Sequence, residues 1–225
     1  MGYWTDGAKE HGLMPGGGGL RMCKCGQFYL LHEAISLGFE AGPETPHTEC
    51  VDAADLADAT QSPGPTVELV ARREYWKHLN DPYRGQYRAH RQAEDQAAEE
   101  KRDAEWHAAN PDTRPVLKKF LDRFARKRPP ASPPLDTRPF SLPPYKPSEL
   151  QVQNMERLLE LILEKMHEPY GPDILEVVEL YRELGRFEKA ADALKQCPSD
   201  DIGVPEKLME RLINEGQRAP IRYNV

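Results

Sequence analysis

The sequence predicts a mainly α protein with a small zinc-ribbon-like N-terminal element, a helical middle, a proline-rich linker and a C-terminal antiparallel helical bundle. Three observations carry this expectation. Apolar residues recur at helical spacing through residues 148–225, opened by Ser148 and Gln151 at capping-box spacing. Eight prolines crowd residues 129–147, a density that neither a helix interior nor a central strand accepts. Three of the four cysteines fall in the first block beside His47, where large apolar residues are sparse.

Composition bounds the rest. The 225 residues carry 30 Lys+Arg against 37 Asp+Glu, a formal net charge of −7, with 39% hydrophobic residues. That apolar share is low for a chain packed throughout, so linker or solvated helix must account for part of it. The negative balance argues against blanket coating of nucleic acid. The opening Met1-Gly2-Tyr3-Trp4-Thr5-Asp6-Gly7 lacks the basic and apolar regions of a signal peptide, and Asp6 stands where a myristoylation motif needs Ser or Thr. The densest apolar run, residues 158–163, is interrupted by Glu160 and too short to span a bilayer. Four cysteines are too few for a disulfide scaffold of this length. Together these point to a cytoplasmic protein with no membrane span.

Residues 1–62 form the first segment, the zinc-ribbon-like element. Gly16–Gly19 lead into a strand-like run, Leu20-Arg21-Met22, and the apolar residues Phe28, Tyr29, Leu30, Leu31, Ile35, Leu37 and Phe39 make only a small core. A block of that kind needs a staple to fold alone. Residues 63–128 read as helix. Thr66 is the candidate N-cap, Val67, Val70, Tyr75, Trp76 and Leu79 supply an apolar face, and Asn80-Asp81-Pro82 ends it. Residues 92–107 have helical propensity but almost no apolar stripe, as expected of a solvated helix. Residues 129–147 are the extended connector and the domain boundary.

Residues 148–225 divide into four helices. The first carries Val152, Met155, Leu159, Ile162 and Met166, and the second, after Pro172-Asp173, carries Ile174, Val177, Val178, Tyr181 and Leu184. Gly185 ends the second, residues 187–194 make the third, and Pro205 opens a fourth that Gly216 closes. Short loops between such helices favour antiparallel neighbours.

The strongest chemical signal is Cys23-Lys24-Cys25-Gly26, followed downstream by His47-Thr48-Glu49-Cys50. Three sulfurs and one imidazole, Cys23, Cys25, His47 and Cys50, make a set suited to tetrahedral Zn²⁺. His32 is the alternative nitrogen, and ordinary buried thiols are the alternative use of the cysteines. A thiol oxidoreductase wants C-x-x-C at a helix start, which is absent. The glycine run lacks the Lys-Ser/Thr of a phosphate loop, and no metalloprotease, nucleophile-elbow or kinase motif occurs. Residues 116–128 are basic and amphipathic, with Leu117, Phe120, Leu121 and Phe124 on one face among Lys118, Lys119, Arg123, Arg126, Lys127 and Arg128. They fit an acidic partner, an anionic membrane surface, a phosphate backbone or plain solvation. The polyproline pattern at residues 127–133 is the kind that proline-rich linkers produce by chance.

Leu184-Gly185-Arg186-Phe187-Glu188-Lys189-Ala190 resembles the turn between the helices of a tetratricopeptide repeat. A wider resemblance runs through Tyr3-Trp4-Thr5-Asp6-Gly7, Met14-Pro15, Cys23-Lys24-Cys25-Gly26, the set Trp76, Asn80, Asp81 and Arg84, and Leu184–Ala190. In this order they resemble a group of uncharacterised bacterial proteins with a Y-W-[ST]-D-G start, a zinc-ribbon-like C-x2-C-G turn and a closing helical hairpin. The chain has C-x-C where the group has C-x2-C. The resemblance implies architecture and brings no activity.

The function these residues favour is non-enzymatic, a protein-interaction or adaptor module with structural zinc and a protein partner. The alternatives are a nucleic-acid-associated protein using residues 116–128, and an enzyme whose site follows no familiar motif.

Overall fold

The structure is a computed structural model that describes residues 2–10, 19–23, 25–34, 49–109, 142–165, 174–197 and 204–224. In chain order the strands are Gly2–Trp4 (β1), Lys9–Glu10 (β2), Leu20–Met22 (β3), Phe28–Leu30 (β4), Glu49–Cys50 (β5) and Arg222–Asn224 (β6). The helices are Ala53–Ala59 (α1), Pro65–Ala109 (α2), Glu149–Lys165 (α3), Ile174–Glu183 (α4), Phe187–Leu194 (α5) and Val204–Asn214 (α6). The fold is mainly α, and the described residues hold two small antiparallel sheets ordered β2–β1–β6 and β4–β3–β5. No helix among the described residues is long and apolar enough to cross a membrane.

Contacts divide the chain into residues 1–82 with 144–225, and residues 83–143. This differs from four successive segments, because the first unit gathers the N-terminal strands, the first turns of α2 and the C-terminal helices. Its main core joins Leu69 and Trp76 of α2 to Met155, Leu158 and Ile162 of α3, Val178 and Leu180 of α4, Ala190 of α5 and Met209 of α6. A second cluster sets Leu20 and Leu30 of the β3–β4 hairpin on Ala59 of α1 and Ala71 of α2. The cysteine-bearing hairpin therefore has apolar support from outside its own segment. Residues 1–62 taken alone do not show this, since α2 supplies the other half of the contact.

Helix starts follow local chemistry. Asp52 caps α1 by accepting from the backbone N–H groups of Ala54 and Asp55 at 2.8 and 3.0 Å, while Asp55 accepts from the N–H of Asp52 at 3.1 Å. The capping box expected at Ser148 is present: the Ser148 N–H donates to Gln151 Oε1 at 2.7 Å, and Ser148 Oγ accepts from the Gln151 N–H at 3.2 Å. Thr66 is not the cap of α2. The helix begins at Pro65, whose fixed φ suits the first helical position, so Thr66 lies inside the first turn. Nor does Pro82 end it. The helix continues to Ala109, and Pro82 withholds one N–H from the ladder.

In the second unit, Tyr83, Arg84 and Tyr87 are buried, and Tyr83 Oη donates to the Pro143 carbonyl at 3.4 Å. Beyond them α2 is largely exposed and carries pairs one turn apart, such as Arg91 with Asp95 at 3.2 Å. That is the solvated helix its composition predicts. The basic stretch 116–128 and most of the proline segment, residues 129–141, lie outside the described residues. The remaining end of that segment is not a free connector: Pro147 is buried and Tyr145 is half-buried, its hydroxyl bonded into the helical body.

The turn from α4 to α5 is the left-handed one expected. Gly185 has φ +76°, and the Arg186 N–H reaches the Tyr181 carbonyl at 2.8 Å, closing α4. A Cβ at Gly185 would lie 3.3 Å from Arg218 Nε, which donates to the Glu183 carbonyl at 2.8 Å. Gly185→Val is therefore expected to destabilise the protein by more than ~1 kcal/mol, read as a lower midpoint in urea unfolding.

Candidate functional site

The predicted metal site begins at the end of β3. The Cys23 N–H donates to the Gln27 carbonyl at 2.9 Å and the Gly26 N–H to the Cys23 carbonyl at 2.8 Å, so residues 23–27 close a tight turn. Gly26 takes φ +81°, which a side chain would resist. Inside this turn the Cys25 N–H points at Cys23 Sγ from 3.5 Å. Cys25 is exposed and its thiol is held below its ordinary pKa, first by the hydrogen bond to Cys23 and then by the backbone of Gln27. Stabilised sulfur of this kind is the form that binds metal.

β5 pairs with β3 so that Cys50 stands opposite Arg21 and Glu49 opposite Met22. The backbone of Cys50 is thus on the strand beside the cysteine turn. The side chain of Cys50 and all of His47 lie outside what is described. His32 is exposed on the 3₁₀ turn Leu31–Glu33, and a Cβ on Gly19 would lie 3.9 Å from its Nδ1. Gly19 and Cys23 flank opposite ends of β3, roughly 13 Å apart at the usual strand rise. His32 therefore stands away from Cys23 and Cys25. Among the described residues, no group of three or more His, Cys, Asp or Glu side chains is placed to hold a metal ion.

The second cluster is one that the spacing of residues does not announce. Glu179, Arg182 and Glu183 of α4 are fully buried, and Asp6 and Asn80 are buried with them. Arg182 grips Glu179 with two bonds, Nε to Oε2 at 2.7 Å and Nη2 to Oε1 at 2.5 Å. Its guanidinium also donates to the carbonyls of Gln217 and Ala219, the latter at 2.8 Å. A buried ion pair with its remaining donors satisfied is the geometry such a pair needs to persist.

Glu183 receives a different set. Trp76 Nε1 donates to its Oε2 at 3.1 Å, and Asn80 Nδ2 lies 3.3 and 3.2 Å from its two oxygens and 3.0 Å from Asp6 Oδ2. Tyr145 Oη is 3.1 Å from Glu183 Oε2 and 3.1 Å from Asn80 Oδ1. Burial, and then the charges of Glu179 and Asp6, push the Glu183 carboxyl well above its ordinary pKa. Burial and the neighbouring Glu183 likewise raise the Tyr145 phenol.

This cluster gathers Asp6 from the turn after β1, Trp76 and Asn80 from α2, and Glu183 beside the α4–α5 turn. Each belongs to, or adjoins, one of the motifs singled out in the sequence. The detectable sequence signal was polar residues set into apolar helical faces, at Asn80 and at Glu179, Arg182 and Glu183. No family model, curated protein or solved structure matches the chain.

Proposed function

We propose that the chain is a protein-interaction module whose N-terminal hairpin carries a structural zinc ion on Cys23, Cys25 and Cys50, with His47 as fourth ligand. The observation that supports this is the turn at residues 23–27. It holds two sulfur atoms on a backbone already folded to favour thiolate, and β5 brings a third cysteine to the neighbouring strand. Zinc would close the chain between residues 25 and 47, turning binding free energy into folding free energy for that loop. Thiols used in this way belong in a reducing compartment, which favours the cytoplasm.

The interaction reading has support in the bundle. A groove of about 440 Å³ lies between α5 and α6, floored by Ala191, Leu194 and Ile213 and rimmed by Glu206 and Glu210. Glu206 Oε2 is buried there without a hydrogen-bond partner among the described residues. An apolar segment flanked by a basic residue fits this chemistry, the base answering Glu206. Glu210→Arg, on the exposed rim, should remove any partner that uses the groove. A partner retained unchanged by that variant would place the interaction elsewhere.

Metal content tests the zinc site. Protein purified without chelator should hold about one zinc per chain. Cys25→Ser should lose it and loosen residues 20–50, whereas Cys197→Ser, on the turn after α5, should keep it. Metal-free wild type with the same melting curve before and after chelation would return the cysteines to ordinary thiols.

A further inference from the structure

We infer that Glu183 is a protonated carboxylic acid at neutral pH, and that its proton latches residues 144–148 onto the helical body through Tyr145, the latch loosening as the acid ionises. The argument begins with an amide whose orientation is settled by backbone. Gln151 Oε1 accepts from the Ser148 N–H at 2.7 Å, so its Nε2 is the end that donates to the Leu79 carbonyl at 2.9 Å and to Asn80 Oδ1 at 3.1 Å. Asn80 is thereby oriented as well. Its Oδ1 faces Gln151 and Tyr145, and its Nδ2 faces Asp6 and Glu183.

Tyr145 has one proton and two oxygen neighbours, Asn80 Oδ1 and Glu183 Oε2, each at 3.1 Å. Asn80 Oδ1 can only accept. If Glu183 were ionised it too could only accept, and one of these oxygen pairs would meet without a hydrogen between them. A proton on Glu183 Oε2 satisfies both: Glu183 donates to Tyr145, and Tyr145 donates to Asn80. The buried charges facing this carboxyl agree. Asp6 approaches from the turn after β1 and Glu179 from its own helix. Arg182, though bonded to Glu179 and to the carbonyls of residues 217 and 219, and the Trp76 hydrogen bond pull the other way but weigh less. Arg218 donates to the main-chain carbonyl of Glu183, and Trp76 and Gln151 bring neutral groups. Desolvation with two like charges nearby favours the neutral acid.

On ionisation the carboxyl proton passes to solvent, and the Tyr145 hydroxyl turns its own proton to the new carboxylate. Asn80 Oδ1 is then left against an oxygen that offers it nothing, and a third negative charge appears beside Asp6 and Glu179. Within residues 144–148, Tyr145 bonds directly to Asn80 and Glu183, so the stretch around it is what loosens. The sign follows from linkage. A carboxyl whose pKa is raised on folding holds more protons folded than unfolded, so its stabilising contribution is complete below the unfolded pKa of about 4.3 and falls as pH rises towards the folded value. The inference does not depend on zinc, because none of these groups adjoins the cysteine hairpin.

Two readouts on the full chain test it. Infrared difference spectra at neutral pH should show a buried carboxylic-acid carbonyl band that disappears in Glu183→Gln. Amide exchange at Ser148 and Gln151, whose N–H groups are held in the capping box, corrected for its intrinsic pH dependence, should lose about tenfold protection or more between about pH 6 and pH 10 in wild type. In Glu183→Gln that protection should be flat with pH. If this variant does not fold, Tyr145→Phe serves instead: the acid band should persist while the same amides exchange rapidly already at the lower pH. Absence of the band, or protection in wild type that does not change with pH, overturns the inference.

Discussion

Replacing Arg182 with Met is expected to destabilise the protein by about 3–5 kcal/mol, because it leaves the buried Glu179 carboxylate without its counter-charge. The guanidinium and Glu179 are both fully buried, and the pair is bidentate at 2.7 and 2.5 Å, so no solvent is present to take over. The same side chain holds the carbonyls of Gln217 and Ala219 and reaches Thr5 Oγ1 at 3.5 Å. Two effects should therefore appear together. Urea unfolding should shift to a lower midpoint, and amide exchange should quicken in residues 218–224, ahead of the helices. Adding Glu179→Leu to Arg182→Met should recover much of the loss, since it removes the stranded charge. A single variant as stable as wild type would refute the stranded charge, and a double variant as stable as wild type would mean that the pair contributes nothing net.

Trp76→Ala carries a comparable expectation, about 3–5 kcal/mol, from the cavity left by a fully buried indole. Trp76 belongs to the main core with Leu69 of its own helix and the buried faces of α3 and α4. Its Nε1 also satisfies Glu183. The two contributions separate by comparing variants. Trp76→Phe keeps most of the apolar volume and drops the hydrogen bond, so it should cost about 1–3 kcal/mol for a buried acceptor left short of a donor. Chemical denaturation of the two proteins gives the difference directly. Equal losses would assign the whole effect to the hydrogen bond and none to the cavity.

The parts of this fold legible in the sequence are those decided within a few residues. Ser148 and Gln151 form their box, and Gly185 and Gly216 take positive φ at the ends of α4 and α6, because capping is a contest among neighbours in the chain. Leu20-Arg21-Met22 is a strand for the same reason of local pattern. The cap of α1 was legible too, in the Asp52-x-x-Asp55 spacing, but no helix was expected there. A proline inside a helix costs about 3 kcal/mol, a lost hydrogen bond and a clash with the carbonyl four residues back, so Pro82 argues locally for an end. The burial of Tyr83 and Tyr87 just beyond it favours continuation.

The buried cluster is a different matter. Asp6, Asn80, Tyr145 and Glu183 are each ordinary in their own neighbourhoods, and their meaning arises only when strands and helices from distant parts of the chain meet. Tyr145 shows the limit best. Eight prolines around it argue for an exposed connector, and nothing local says that one phenol hydroxyl will find a carboxyl on α4. The cysteine turn lies between these extremes. The tight turn could be read from Cys-Lys-Cys-Gly, but not the support of its hairpin by α1 and α2.

The placing of β1 at the centre of its sheet has a consequence for how the molecule is made. Its two neighbours are β2, a few residues on, and β6, almost a whole chain length later. During synthesis one edge of β1 must wait, its backbone groups unpaired, until the residues of β6 have left the ribosome. Closing so long a loop is slow, and an edge that waits can accept the wrong strand. The hazard is exchange: at high concentration, a β6 from one newly made molecule can complete the β1 of another. Refolding from denaturant should therefore yield a dimer fraction that grows with protein concentration, joined by traded C-terminal strands rather than by any surface patch.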